Sequence, residues 1–527
     1  MSGQRTSSVP DGGVLIAGGG LVGLTAALVL RHHGVPVTLV EQRAATSPQP
    51  KARRLHMRSM EIFRELGLAA AVHEAARDLA GHDHMAAGRT LAEAQQLPLW
   101  QPAGPLPEAS PERPCLIAQD LLEPVLRAAA EQAGAQVRFS TELISFTQTM
   151  AHVSARLLDR RSGAERRVQA QYLVAADGAH SPVRAALGIT RSGPGALGPP
   201  VVNVYFRADL GDVVRGREFN LCQIDHPAAR GALASIDGRY RWVFSTPAGQ
   251  VDRDWPELLR IALGVPAPGL HVLSVLPWQP ELRLASRFGS GRVLLAGDAA
   301  HVMPPFAASG ANTGLADVHN LGWKLAAVLH GQAQPALLAS YDAERRPAAW
   351  FAAEQSGRRR PDLRAAPDPT LAHPYVLAAG GFQYPAGAIA PSPEQRADPE
   401  PVTEFAPAGR VGTRIPHRWL DPARTRSTLD LAGPGWALLS GGPAGPAHPI
   451  DVDFLSAGEC LLLRPDHIVA WRGTGLDTAA QVRAAVLAGQ CGAQLRPAVG
   501  DTSFQWWGSE SREIRWRGAA GPGKLAG

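Results

Sequence analysis

Short, unbroken apolar runs that stop at a glycine or an acid recur along this chain, and such runs predict strands buried on both faces of a parallel sheet. Gly13 to Ala17, Val37 to Glu41, Leu173 to Ala176 and Val293 to Ala296 all have this form. Between the first two, Leu21 to about His33 carries apolar residues at helical spacing and is closed by Gly34. The chain therefore opens as strand, glycine turn, helix, strand. A second helix places Met60, Phe63 and Leu66 on one face and ends at Gly67. Asp120 followed by Glu123 resembles a capping box ahead of a stripe of Leu121, Leu122, Val125, Leu126 and Ala129. Alternation at Val153, Ala155 and Leu157, a Ser162-Gly163 turn, and Val168, Ala170 and Tyr172 predict a hairpin that runs on into Leu173 to Ala176. Ser181 caps the next helix, with Pro182 in its first turn. A further helix is expected to begin near Asn312 or Thr313.

From about 191 to 284 the pattern changes to short alternating segments, Val201 to Ala208, Ala232 to Ile236 and Tyr240 to Ser245, broken by Gly, Pro and Asp. This predicts an inserted antiparallel sheet. Residues 361–408 are rich in Pro, Ala and Gly and read as a connection. Beyond it, Ser427 to Leu431, Trp436 to Leu439, Cys460 to Leu463 and His467 to Trp471 read as short strands, with a helix around Ala479 to Leu487. The fold class is α/β: a Rossmann-like domain in two parts, 1–190 and 285–360, with a sheet inserted at 191–284, a connection at 361–408 and a third unit over 409–527. A chain of 527 residues has ample length for several cores.

Charge adds little to this picture. The formal net charge is +5 and there is no long basic block, so nucleic acid is not an expected partner. Lysine occurs only at Lys51, Lys324 and Lys524. Cys115, Cys222, Cys460 and Cys491 form no CxxC pair and read as buried thiols in a reducing, cytoplasmic setting. Gly13 to Leu30 is uncharged, but four glycines interrupt it, so no membrane span is expected.

The chemistry gathers at the strand ends. Gly18-Gly19-Gly20-Leu21-Val22-Gly23 fits GxGxxG between strand and helix, and Glu41 ends the next strand. Gly18 serves the turn, Gly20 the close approach of a pyrophosphate and Gly23 the packing of helix on strand, while Glu41 is placed to bond a ribose diol. Lys51, Arg53, Arg54 and Arg58 offer cations to a pyrophosphate or form a solvated loop. Gln119 either bonds the cofactor or finishes a turn, and Asp177 is either a turn acid or a cofactor ligand. Asp298 follows Gly297 where a strand-end carboxylate can bond a polyol. The backbone amides of Gly310, Ala311, Asn312 and Thr313 offer a helix N-terminus, about +0.5 of a charge, to an anionic oxygen. His301 has no second ligand at metal spacing, so no metal is expected. Tyr205, Arg207, His226, Asp237 and Trp242 of the inserted sheet, with Pro305, are substrate-facing candidates or ordinary structural residues.

In these features the chain resembles the class A FAD-dependent aromatic monooxygenases, which share the para-hydroxybenzoate hydroxylase fold, and within them the aromatic polyketide hydroxylase branch. GGGLVG at 18–23 with Glu41, Asp177-Gly178 within AADGAHSPVR, and Gly297-Asp298 within LLAGDAAHVMPP stand in the family's order. The segments RVGTRIPHRWL, STLDLAGPGWALLSG and LLLRPDHIVAWR are similar to its thioredoxin-like C-terminal domain. The resemblance implies bound FAD, transient NAD(P)H, molecular oxygen and a small phenolic, polycyclic substrate hydroxylated through a flavin C4a-hydroperoxide, in a monomer or homodimer. It implies that Glu41 holds the adenosine ribose, that Lys51 and Gln119 lie near the phosphates or ribityl chain, that Asp298 bonds the ribityl hydroxyls, and that Asp177 serves FAD and NAD(P)H. No side chain is implied as nucleophile. The chain departs from the family in having Lys51 where relatives carry Arg, and Ala-Ala-Ser-Gly-Ala-Asn at 307–312 where they carry GGQGMN or GGQGAN. Baeyer-Villiger oxygenation of a polycyclic ketone and antibiotic-inactivating hydroxylation on the same scaffold, or a catalytically silent flavin-binding protein, are the alternatives.

Overall fold

The computed structural model describes residues 13–98, 108–249, 253–359, 362–364, 368–390, 407–443 and 447–490, with the backbone of 513–515. Expectations for residues 1–12, for Cys491 and Lys524, and for much of the 361–408 connection fall outside these.

The apolar runs form a six-stranded sheet in the order Gly289–Ser290, Val293–Leu295, Tyr172–Ala175, Val14–Ala17, Val37–Val40, Gln136–Arg138, parallel except for the first pair. Its four central strands are buried along their whole length, which explains the absence of alternation in their sequence. After Val14–Ala17 the chain builds outward through Val37–Val40 and Gln136–Arg138. It then returns to the opposite flank with Tyr172–Ala175 and Val293–Leu295. The direction of strand order reverses between Val14–Ala17 and Tyr172–Ala175, and in open α/β sheets a crevice for ligands opens at that switch, beyond the carboxyl ends of the strands.

Helix Leu21–His32 and helix Ser309–Leu329 lie against each other beside this sheet. Their approach depends on glycine. A β-carbon on Gly314 would fall 2.6 Å from a Val22 methyl, and one on Gly322 would fall 2.4 Å from Val29.

The inserted sheet has seven strands, ordered His271–Trp278, Val201–Arg207, Arg241–Pro247, Gly231–Ser235, Leu221–Ile224, Met85–Gly88, Gln95–Gln96. It takes in two strands from the first segment of the chain, and Met85–Gly88 runs parallel to Leu221–Ile224. One face, with Val204, Phe206, Cys222, Leu233, Trp242 and Phe244, closes on helix Trp255–Leu263. The opposite face is turned to the first domain: Arg241 pairs with Asp120 at 2.5 Å, Ser274 donates to Gln49 at 3.2 Å, and Arg53 donates to the Ser235 carbonyl at 2.8 Å.

Three local expectations are corrected. Helix Gln119–Gln132 has no side-chain cap, because Asp120 turns to Arg241 and Glu123 is drawn inward, so the capping-box pattern is coincidental. The long helix starts at Ser309, three to four residues before the expected point. Thr428–Leu431 is a 3-10 turn and not a strand; Ser427 and Asp430 form a capping box there. The C-terminal unit is a four-stranded sheet, His448–Pro449, Ala437–Ser440, Cys460–Leu463, Val469–Gly473, with helix Leu476–Leu487 packed on it. Cys115, Cys222 and Cys460 are free and buried, and burial pushes the Cys115 thiol up to about 11. Among the described residues, no helix is long and apolar enough to cross a membrane.

Candidate functional site

Four elements end at the mouth of the crevice. The first is the glycine turn. Gly18 holds φ +109°, and a β-carbon there would lie 2.2 Å from the Ala176 carbonyl oxygen; one on Gly23 would lie 1.9 Å from the Gly18 oxygen. These two glycines bring strand and helix together. Gly20 differs, for its nearest protein atom would be Glu123 Oε1 at 3.7 Å, so the space beside it is a cradle that a side chain would fill.

Glu41 ends the next strand and is 5% exposed. Its Oε2 accepts from the Gly19 amide at 2.7 Å, and its Oε1 accepts from the Arg43 amide at 2.8 Å and Arg43 Nε at 3.0 Å. Burial alone would raise its pKa, but the Arg43 bonds and the Gly19 amide outweigh this and hold it below the usual carboxylate value. Glu41 is thus an ionised acceptor, and the longest of its four bonds is that from Arg43 Nη2 to Oε2 at 3.4 Å.

Asp177 closes the third strand. One of its oxygens accepts from the Val183 amide at 3.1 Å, while the other, Oδ1, is buried with no partner among the described residues. Such an atom calls for a donor that the described residues do not supply. Asp298 follows the fourth strand on a short 3-10 turn, Gly297–Ala299, and its carboxylate lies open in the crevice. It accepts no hydrogen bond from the described residues. The turn carrying it is held firmly, because the buried Asp317 accepts from the Gly297 amide at 3.1 Å, from His301 Nε2 at 2.6 Å and from Arg345 Nε at 2.9 Å.

The loop entering the long helix is strained. Ala307 and Ala308 sit at φ +76° and +53°, the left-handed region that costs a residue with a β-carbon about 1 kcal/mol or more. Their surroundings over-determine this shape: His56 Nε2 bonds the Ala307 carbonyl at 2.9 Å, Asn312 Nδ2 bonds the Ala308 carbonyl at 2.6 Å, and Ser356 Oγ donates to the Phe306 carbonyl at 2.5 Å. The helix therefore begins early, and its free first-turn amides are those of Ser309, Gly310 and Ala311, with those of Asn312 and Thr313 already inside the helix. Gly310 is open, its nearest neighbour to a β-carbon being Met303 at 3.7 Å. The Asn312 side chain is committed to the protein: Oδ1 accepts from the His56 amide and Ser59 Oγ, at 2.8 and 2.6 Å, and Nδ2 also donates to the Arg54 carbonyl at 3.0 Å. Replacing Ala308 by glycine should relieve the strain and stabilise the fold by about 1 kcal/mol, read as a raised midpoint of urea unfolding; an unchanged or lowered midpoint would mean that no strain is stored there.

The remaining expected residues divide. Lys51 is exposed at the crevice side; desolvation raises the Asp298 carboxyl above its ordinary value, and the charges of His301 and then Lys51 work against that rise. Gln119 accepts from the Ala52 amide at 3.3 Å and donates to Glu123 at 2.6 Å. Tyr205 lies on the face of the inserted sheet turned to the first domain, its hydroxyl 3.4 Å from Arg241. Arg207 is exposed over Tyr240, His226 accepts a turn amide from Ala228, and Asp237 accepts the amides of Arg239, Tyr240 and Arg241. Trp242 is fully buried in the opposite face, its Nε1 donating to the Ala208 carbonyl at 3.1 Å. Pro305 is exposed on the strained loop and accepts from the Ala308 amide.

Sequence reasoning missed two groups. Glu123 is fully buried beside Gly20 and accepts from the Ser47 amide at 2.6 Å. Glu65, His319 and His467 also come together, far apart in sequence. Both histidines hold Glu65 through Nε2, at 2.8 and 3.2 Å, while Arg58 donates to both Nδ1 atoms, at 3.3 and 2.9 Å. With Nδ1 accepting, each Nε2 carries a proton toward Glu65, which is the wrong tautomer for ligating a metal through Nε2.

The chain is similar to known proteins over most of its length. The family described as "FAD binding domain" matches residues 11–356. The tetracenomycin A2 monooxygenase-dioxygenase of Streptomyces glaucescens is 36% identical, over 92% of this chain and 97% of that protein. The aklavinone 12-hydroxylase of Streptomyces peucetius is 39% identical, over 84% of this chain and 93% of that protein. Among solved structures, the ternary complex of aklavinone-11 hydroxylase with FAD and aklavinone superposes with a TM-score of 0.78 at 30% identity, covering 92% of this chain and all of that one.

Proposed function

Because the chain belongs to the FAD binding domain family and its relatives are monooxygenases and hydroxylases of aromatic polyketides, we propose that it hydroxylates a polycyclic aromatic polyketide with bound FAD, NAD(P)H and molecular oxygen. One observation carries the assignment of the cofactor to this crevice. Three strand or helix ends present space or unsatisfied polar groups to the same opening: the cradle at Gly20, the free Asp298 carboxylate and the first-turn amides at Gly310 and Ala311. These residues fit an extended molecule with a diphosphate, a polyol and a polar ring.

In this reading the turn from Gly18 to Gly20 receives the pyrophosphate at the N-terminus of helix Leu21–His32, and Lys51 adds a cation. Glu41, held ionised by Arg43, accepts from the adenosine ribose. Asp298 accepts from the ribityl hydroxyls, and its turn is fixed by Asp317. Bound FAD supplies the redox chemistry, passing two electrons from NAD(P)H to oxygen and one oxygen atom to an aromatic carbon. The chain contributes position and charge: Gly310 and Ala311 aim free amides at the ring's negative edge, and the inserted sheet closes the opposite side against water.

Asp298→Ala should lower FAD affinity about tenfold or more by removing a charged acceptor from the polyol. FAD titration of the stripped protein measures this, and a dissociation constant equal to wild type would refute the contact. The activity is tested by supplying aklavinone as a probe under labelled oxygen. Stimulated NAD(P)H oxidation and a product heavier by one labelled oxygen are expected; failure of every polycyclic phenol tried to stimulate oxidation would sink the proposal.

A further inference from the structure

The face of the inserted sheet turned toward the FAD-binding domain carries small side chains at its middle. Strand register places Leu276, Asn203, Ser245, Ala232, Gln223 and Ala87 in one row across it. The parallel row holds Ser274, Tyr205, Val243, Ala234, Leu221 and Met85. Side chains alternate across a strand, so these rows point away from the buried cluster around Trp242 and Phe244. Alanine, serine and valine at the middle of both rows leave a low bed among the larger Tyr205, Leu221, Met85 and Leu276.

One polar group stands up from this bed in a fixed orientation. Asn203 Oδ1 accepts from Ser245 Oγ at 2.8 Å and from Trp278 Nε1 at 2.9 Å. An indole N–H can only donate, so the amide oxygen must face Trp278 and the amide cannot turn over. Both lone pairs of Oδ1 are then used. Nδ2, with two N–H donors, finds no acceptor among the described residues, and it is not among the buried atoms that lack a partner, so it is open to the cleft. Nothing else in either row offers a pair of donors. The Gln223 side chain is engaged at both ends, donating to Asp225 at 2.9 Å and accepting from the Leu363 amide at 2.7 Å.

We infer that Asn203, locked by Trp278 and Ser245, is a specificity-determining donor that selects a substrate bearing a ring carbonyl, quinone or keto, over one without. The inference rests on the aromatic-substrate reading above. A carbonyl oxygen accepts in its plane one N–H of the free NH2 group; a hydrocarbon edge would leave that donor desolvated and unpaired, and sites built to hydrogen-bond a group reject analogues that lack it. Asn203 touches substrate for binding and takes no part in bond making.

The test compares two probes of the same ring skeleton, 1,8-dihydroxyanthraquinone and 1,8-dihydroxyanthracene, each titrated into FAD-loaded protein and followed by perturbation of the flavin spectrum. Wild type should bind the quinone at least about tenfold more tightly, the value of one well-made hydrogen bond. Asn203→Leu should erase that preference, with the anthracene bound at least as tightly as by wild type, because the donor it would have left unpaired is gone. Asn203→Asp, which turns an acceptor toward the carbonyl, should weaken quinone binding further. Trp278→Phe keeps Asn203 but frees its amide to turn, so it should lower the preference only a few-fold. Equal weakening of both probes by Asn203→Leu, or no effect on either, overturns the inference and leaves the aromatic-substrate reading standing. Binding of neither probe by FAD-loaded wild type counts against both.

Discussion

Gly23→Ala should yield protein that keeps its secondary structure yet purifies without colour. The added methyl would stand 1.9 Å from the Gly18 carbonyl oxygen and 3.0 Å from its carbon, both backbone atoms that cannot swing aside. Relief requires helix Leu21–His32 to move off the glycine turn, and its free amides move with it. A displacement of the order of 1 Å is enough to spoil aligned contacts, so FAD affinity should fall at least tenfold, or by about 1.4 kcal/mol. The ratio of flavin to protein absorbance, read beside far-ultraviolet circular dichroism, checks the result. Gly20→Ala is the contrasting case. Its methyl meets nothing closer than 3.7 Å within the protein, and Gly20 has an ordinary backbone at φ −82°. This variant should fold with unaltered stability when stripped of cofactor and still bind FAD poorly, because the methyl occupies the cradle. A Gly23→Ala protein that retained wild-type FAD content would show that the turn can relax.

The second large effect is expected at Glu344, whose carboxylate is fully buried and accepts five hydrogen bonds. Oε2 takes Asn320 Nδ2 at 2.6 Å, Lys324 Nζ at 2.8 Å and an Arg464 nitrogen at 2.9 Å; Oε1 takes the Ala388 amide at 2.6 Å and the other Arg464 nitrogen at 2.8 Å. Arg464 also pairs with Asp466, so two buried cations face two buried anions. Burial opposes every one of these charges and pulls Lys324 down to about 8, whereas the Arg464 and Lys324 charges bring Glu344 below its usual value. Glu344→Leu would leave Lys324 and Arg464 sharing Asp466 alone. A stability loss of about 3 to 5 kcal/mol follows for breaking such a network from one side. Urea unfolding at pH 7 measures it, and a loss below about 1 kcal/mol would mean that Lys324 sheds its proton at little cost.

The frame of the first domain was legible because buried parallel strands leave continuous apolar runs and each stops at a glycine or an acid, as at Gly18, Glu41, Asp177 and Asp298. Element boundaries were less so where a local pattern was mimicked. Asp120 and Glu123 have capping-box spacing, but Arg241 and the Ser47 amide, both distant in sequence, claim them first. The start of the long helix was hidden because two alanines adopt a left-handed backbone that propensity assigns to glycine, and only the bonds from His56, Asn312 and Ser356 reveal why they can. The inserted sheet showed its alternation, yet alternation cannot say which face looks toward the crevice; this separates Tyr205 from Trp242. Asn203 carried no signal at all, since its meaning lies in Trp278, a residue 75 positions away.

Asp317 links regions that the chain separates widely. The same carboxylate that steadies Gly297 beside Asp298 is gripped by Arg345, whose Nη1 reaches the Tyr384 hydroxyl at 3.2 Å in the connecting segment. A genetic screen that scored bleached colonies would on this account recover lesions at Arg345 and Tyr384, in places that no map of the crevice would mark.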